Sequence, residues 1–286
     1  MVQFKNVTII GVGLIGGSLA RSLKANKLAG EICGTGRSSA SLEKALQLGV
    51  IDRALPSAAD AVKDADLVVL ASPVGAFQLI LREIAPHLKP GAVLTDVGSV
   101  KGTLVAMIEE LLPDGVSYVP GHPIAGRETS GVAASSENLF RGARCILTPT
   151  PRTDRKALKK VQDLWNAAGA TVVLMEPSVH DHVFAAVSHL PHMAAYALVN
   201  AVADLEAGGE AYVRYTGGGF RDFTRIAASS PEMWRDISLM NRKNIIEMIE
   251  RYQLSLNKLK RAIRRKDGAQ IEELFRAAHD VRKGLG

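Results

Sequence analysis

Two cysteines in 286 residues, Cys33 and Cys145, lie far apart inside apolar, strand-like stretches. They leave no basis for a disulfide framework and fit a reducing, cytoplasmic setting. Apolar runs such as Leu67 to Ala71 are strand-sized, well short of the roughly 20 residues a membrane-crossing helix requires. The first residues lead straight into the fold without a charged n-region or cleavage site, so no signal peptide is expected. Internal repeats and low-complexity segments are absent as well. The formal charge of +6 is not spread along the chain: between Arg242 and Lys283 twelve Lys or Arg stand against six Asp or Glu, and the remainder is neutral. No aromatic platform interleaves those basic residues and no DNA-reading motif accompanies them, so they read as a solvated helix face and no nucleic-acid partner is expected.

What is present begins at Val7. An apolar strand runs into Gly11, Gly13 and Gly16 at G-x-G-x-x-G spacing, and an amphipathic helix opens at Leu14 and Ile15. Three glycines at that spacing let a strand turn sharply, let the backbone approach a pyrophosphate, and let the new helix pack against the sheet. The helix then aims its unpaired N–H groups at the phosphates. The expected ligand is a dinucleotide.

Short apolar strands alternate with helical stretches as far as Thr171 to Leu174, the βα rhythm of a parallel sheet. After Glu176-Pro177 the strand signal stops. The fold class expected is α/β: a Rossmann-type parallel-sheet domain over residues 1–176, followed by an all-helical domain over 177–286. Within the second, Ile245, Ile249, Tyr252, Leu256, Leu259 and Ile263 step by fours and threes as a heptad stripe flanked by charge. That stripe needs a long helical partner, in the same subunit or in a second copy.

The second strand ends Gly34-Thr35-Gly36-Arg37-Ser38. An NAD enzyme usually places a carboxylate there for the ribose 2′-hydroxyl, whereas Arg37 and Ser38 suit a 2′-phosphate. NADP is therefore favoured over NAD. Ser72-Pro73-Val74, directly after the third clear strand, is placed at the edge that the cofactor crosses.

Two loops are expected to open at the same edge, one carrying Asp96 to Lys101 and the other Gly121 to Gly126. His122 precedes a proline and is flanked by glycines, which suits an imidazole presented as a general base. Ser99 reads either as a site residue or as the N-cap of the helix that follows. Glu128, six positions after His122, is a pocket residue or a surface carboxylate. Further on come Ser188-His189-Leu190-Pro191-His192 and then Gly217 to Arg225. Arg225, just past a triple glycine, is suited to clamp a carboxylate. His180, His182, His189 and His192 form no recognised zinc spacing, bring no cysteine and have only Asp181 nearby, so no metal is expected.

Taken in order, these motifs resemble the prephenate/arogenate dehydrogenase family over nearly the whole chain: Gly11 to Gly16, Asp96 to Gly102, Gly121 to Glu128 with Ser130-Gly131, Ser188 to His192, and Gly217 to Arg225 with Trp234. The resemblance implies hydride transfer coupled to decarboxylation of a cyclohexadienol, prephenate or arogenate, to an aromatic ring. It implies His122 and Ser99 as catalytic residues, and Ser188, His192, Gly218, Arg225, Glu128 and Trp234 as substrate-binding ones. It also implies a homodimer built through the helical domain. Two other readings are a β-hydroxyacid dehydrogenase, which shares the architecture, and, from a different class, a non-catalytic NADP-binding regulator. The first usually relies on a lysine in the helical domain and leaves the Gly121 to Gly126 loop unexplained. The second has no need of Ser99, His122 and Arg225 together.

Overall fold

Phe4–Ile10 (β1), Ala29–Thr35 (β2), Arg53–Ala54 (β3), Leu67–Leu70 (β4), Val93–Asp96 (β5) and Ser117–Val119 (β6) pair in parallel in the order β3-β2-β1-β4-β5-β6. The computed structural model describes residues 3–126, 129–207 and 209–285. β4 lies between β1 and β5, and all four of its residues are buried, as an apolar strand covered on both faces must be. The strand order reverses between β1 and β4, which opens a crevice at their carboxyl ends.

Leu14–Ala25 (α1), Ser39–Gln47 (α2), Ala58–Val62 (α3), Phe77–Ile84 (α4) and Gly102–Leu111 (α5) alternate with these strands. Their starts follow the local chemistry: the hydroxyls of Ser38 and Ser57 accept from the backbone N–H groups of Ser41 and Asp60, capping α2 and α3. Leu19 and Leu23 are buried in one cluster with apolar positions of the sheet, and Phe77 and Leu81 of α4 are fully buried as well.

Gly121–Ile124 (β7), Arg144–Leu147 (β8) and Thr171–Leu174 (β9) form a separate three-stranded sheet, with β7 antiparallel to β8 and β8 parallel to β9. This corrects two expectations, that a single parallel rhythm runs to Leu174 and that His122 sits on a loop. Gly-His-Pro-Ile carries no strand periodicity, and Pro123 lacks a ladder donor. The segment pairs nonetheless because it is an edge strand, where a missing N–H is tolerated. Arg155–Ala167 (α6), capped by the Asp154 carboxylate accepting from Ala157 N–H, buries Trp165 edge-on against Phe140. Pro177–Phe184 (α7) follows.

By packing, the chain divides into two compact units, one ending at Val183 and taking in Ala228–Asn241, the other comprising Phe184–Ala227 and the chain from Arg242 onward. The first unit thus includes Pro231–Met240 (α10), while Leu190–Ala203 (α8), Gly218–Thr224 (α9), Arg242–Arg264 (α11) and Gly268–Lys283 (α12) belong to the second. The second unit is helical apart from a minimal hairpin of Glu206–Ala207 and Glu210–Ala211. α8 is preceded by a π-helical turn over Ala185–His189. Pro191 has no N–H to give the carbonyl of Val187, and the widened turn absorbs that loss. On α11, Ile245 is buried, but Tyr252, Leu256 and Ile263 of the heptad stripe are exposed in the single chain.

Candidate active site

The glycine loop has the shape its spacing predicts. Gly11 follows β1 with φ +102°, and a Cβ there would meet the backbone of Ala71 and Ser72 at 2.7 Å. A Cβ on Gly16 would meet the carbonyl oxygen of Gly11 at 2.3 Å, whereas one on Gly13 would point into open space. Two glycines therefore close the turn and the third leaves room for a phosphate. α1 starts at Leu14 and Ile15 with no side-chain cap and no acidic residue in its first turn, so its N–H groups suit an anion. Across the crevice Ser72 Oγ is buried with no hydrogen-bond partner among the described residues. A buried hydroxyl without a partner costs about 1–3 kcal/mol, which a bound ligand would relieve. Pro73 introduces a 3₁₀ turn over Val74–Ala76, with Val74 buried beneath it. These features fit a dinucleotide. At the end of β2, Arg37 is exposed, Ser38 caps α2, and a Cβ on Gly36 would meet nothing within 4 Å.

One carboxylate organises the segments that follow β5 and β6. Asp96, the last residue of β5, is fully buried. Its Oδ2 accepts from Lys101 Nζ at 2.5 Å and Gly98 N–H at 2.8 Å, and its Oδ1 accepts from the Tyr118 hydroxyl at 2.8 Å and Gly121 N–H at 3.1 Å. Burial and the adjacent Asp96 charge raise the Tyr118 pKa, keeping that hydroxyl a donor. Lys101 is buried as completely as its partner. Asp96 thereby ties the Gly98-Ser99 turn to the residue before His122.

Ser99 is half-buried three residues ahead of α5 and is not its cap. The cap position falls to Lys101, and the first N–H groups are satisfied from afar: Asp181 on α7 accepts from Lys101 N–H at 2.7 Å and Gly102 N–H at 2.8 Å. A Cβ on Gly102 would come within 2.9 Å of that carboxylate, hence the glycine. Asn241, at the end of α10, donates to the Asp181 carbonyl at 2.8 Å and ties α10 to the same point.

His122 stands on β7, half-buried, its Nδ1 2.8 Å from Nε2 of His180; His180 Nδ1 lies 2.9 Å from Asp181 Oδ1. Burial lowers the pKa of His180, with Lys101 reinforcing the effect against Asp181. Burial opposes charge on Asp181, but the bonds from His180, Lys101 N–H and Gly102 N–H prevail and hold its carboxyl below the usual range.

In the second unit His192 Nδ1 donates to the Ser188 carbonyl at 2.9 Å, a bond that reaches back into the π-helical turn. Burial lowers the His192 pKa, and the Arg225 charge lowers it further, so these two residues are electrostatic neighbours. Arg225 is exposed at the end of α9, whose first residue is Gly218. Trp234 is buried on α10, in the unit of the parallel sheet. Glu128 lies outside the described residues. Among those described, no three His, Cys, Asp or Glu side chains gather as a metal-binding group, and no helix is long and apolar enough to cross a membrane.

Neither motif nor spacing gives Asp96, Lys101, His180 or Asp181 an individual role at the site. The available signal was a His-Asp pair in an otherwise apolar stretch, noticed only as a metal candidate.

A parallel sheet with a glycine-loop nucleotide cradle, and a hydrogen-bonded imidazole just beyond its carboxyl ends, defines a nucleotide-binding dehydrogenase. Comparison with known proteins is specific. The family model for the nucleotide-binding domain of prephenate dehydrogenase matches residues 19–174, and that for its dimerization domain matches residues 176–277. The chain belongs to the prephenate dehydrogenase family. It is 38% identical to a prephenate dehydrogenase of Bacillus subtilis over 100% of this chain and 77% of that one. It is 37% identical to a cyclohexadienyl dehydrogenase of Zymomonas mobilis, covering 100% and 97%. The crystal structure of prephenate dehydrogenase from Aquifex aeolicus in complex with hydroxyphenyl propionate and NAD+ superposes with a TM-score of 0.94 at 43% identity, covering 99% of this chain and 98% of that one.

Proposed function

We propose that this chain catalyses the oxidative decarboxylation of prephenate or arogenate to 4-hydroxyphenylpyruvate or tyrosine, with residues 1–176 serving the dinucleotide and 177–286 serving substrate binding and dimerisation. The observation that carries this reading is His122, which faces the buried His180 and directly follows Gly121, whose N–H donates to the carboxylate that ends β5. In this role His122 Nε2 takes the proton of the ring hydroxyl, and Ser99 orients that hydroxyl. Nicotinamide dinucleotide, when bound, accepts the hydride from the carbon that bears it. The resulting carbonyl is conjugated with the ring, so electrons of the breaking C–COO⁻ bond flow into the ring as CO₂ leaves. The proton held on His122 returns to the new phenolic oxygen, and the ring becomes aromatic. Arg225 pairs with a substrate carboxylate, and Ser188, His192, Gly218, Glu128 and Trp234 complete the binding set. Purified protein mixed with prephenate or arogenate and either dinucleotide tests this: reduced cofactor appearing together with an aromatic product supports it, and no turnover of either substrate overturns it.

Arg225→Ala is expected to weaken substrate binding by roughly 1.5–3 kcal/mol, the loss of one charge-assisted carboxylate contact, seen as a raised KM with kcat little changed. Steady-state kinetics decide this, and an unaltered KM returns Arg225 to the surface.

NADP is the favoured cofactor, with Gly11, Gly13, Leu14, Ile15 and Gly16 at the pyrophosphate, Arg37 and Ser38 at the 2′-phosphate, and Ser72, Pro73 and Val74 along its path. The Ser38 hydroxyl accepts in its cap bond and keeps its proton to donate. Gly36→Asp tests the choice cleanly, because the position is open and its φ is ordinary. The variant is expected to bind NADP about tenfold more weakly and shift preference toward NAD, a carboxylate repelling phosphate and accepting from a hydroxyl. Equal NADP affinity in titrations would contradict the assignment.

The exposed residues of the heptad stripe, Tyr252, Leu256 and Ile263, are proposed to be covered in a homodimer, which sedimentation of the purified chain reads directly.

A further inference from the structure

The bond pattern around His122 dictates where its protons sit. Asp181 accepts from two backbone N–H groups, at 2.7 and 2.8 Å, which holds it as a carboxylate able only to accept. His180 Nδ1, 2.9 Å from Asp181 Oδ1, must therefore carry a proton. The His180 ring is fully buried with Lys101 and Asp96 as its other charged neighbours, and the Lys101 ammonium opposes a second proton on it. Its Nε2 is then a bare lone pair. Facing that lone pair at 2.8 Å, His122 Nδ1 has to be the donor. In its neutral form His122 then carries its one proton on Nδ1 and its lone pair on Nε2, the form a general base requires.

We infer that His180 and Asp181 are positioning residues that hold His122 as its Nδ1–H tautomer, so that Nε2 is the nitrogen that takes the substrate proton. The inference rests on His122 being the base and adds what sets its protonation. No proton moves along the chain of bonds in this scheme. When Nε2 is protonated, the imidazolium charge is met through His180 by the Asp181 carboxylate, and no group has to rotate. The same carboxylate holds the start of α5, three residues beyond Ser99, so base and hydroxyl share one anchor.

The test uses the full-length chain with ¹⁵N-labelled histidine and long-range ¹H–¹⁵N spectra at neutral pH, His122→Ala supplying the assignment. In the wild type, His122 is expected with Nδ1 protonated and Nε2 bare. His180→Gln, which can present a carbonyl oxygen to the same N–H, should keep that signature and stay within about threefold of wild-type kcat. His180→Leu, which cannot accept, should show mixed tautomers and lose about tenfold in kcat with dinucleotide affinity unchanged, the usual scale for removing a partner that orients a reacting group. A wild-type His122 protonated at Nε2 overturns the inference outright, whether or not either variant folds. So does a folded Leu variant with wild-type tautomer and kcat. Failure of the functional reading is separable, because it appears as absence of turnover in the wild type and leaves the spectra readable.

Discussion

Alanine at His122 is expected to lower kcat by something on the order of 10² to 10⁴, the contribution of a positioned acid or base, while dinucleotide affinity stays as it was. The residues proposed to hold the nucleotide lie on the glycine loop and after β2 and β4, whereas His122 belongs to the edge strand of the second sheet, so binding and chemistry are expected to separate. The substitution also removes the donor facing His180 Nε2. His180 remains bonded to Asp181 and α5 keeps its anchor, so the loss falls on the chemical step. Single-turnover formation of reduced cofactor, with cofactor titration and a thermal melt as controls, measures it. Unchanged turnover would remove His122 from the mechanism.

Lys101→Met is expected to destabilise the chain by about 3 kcal/mol, the lower end of the cost of stranding one member of a buried ion pair. The volume is nearly conserved, so the loss reports charge and not a cavity. The lower end applies because Asp96 retains three donors, Gly98 N–H, Gly121 N–H and the Tyr118 hydroxyl. Denaturant unfolding at fixed pH gives the number, and a loss under 1 kcal/mol would mean that those three dipoles alone hold the carboxylate. Adding Asp96→Leu to Lys101→Met should not recover that stability, because it strands the Gly98 and Gly121 N–H groups and the Tyr118 hydroxyl, buried donors that each cost about 1–3 kcal/mol when unpaired. Activity should fall with it. The carboxylate that ties Gly98 to Gly121, and so sets Ser99 relative to His122, would be gone.

Features governed by neighbours in the chain were legible before any coordinates. Gly11, Gly13 and Gly16 announce their turn by their spacing alone, although the backbone that Gly11 makes room for, Ala71 and Ser72, comes from the end of β4, and the four residues of β4 announce a strand by being wholly apolar. The stripe on α11 follows from helical period alone. The strand at Gly121–Ile124 was not legible, since only its place at the edge of a second sheet excuses Pro123. Nor was the start of α5 three residues beyond Ser99, which depends on a carboxylate about eighty residues later in the chain.

The amino-acid order by itself determined the nucleotide cradle, the βα rhythm and the residues able to accept a proton or clamp an anion, because those depend on spacing and side-chain chemistry. Tertiary structure decided what His122 faces, by burying His180 and Asp181 against its Nδ1 side, and it decided that Asp96 and Lys101 form a buried ion pair joining the segments after β5 and β6. Hydrogen bonds between elements far apart in sequence leave no periodic trace, so only the folded chain reveals them.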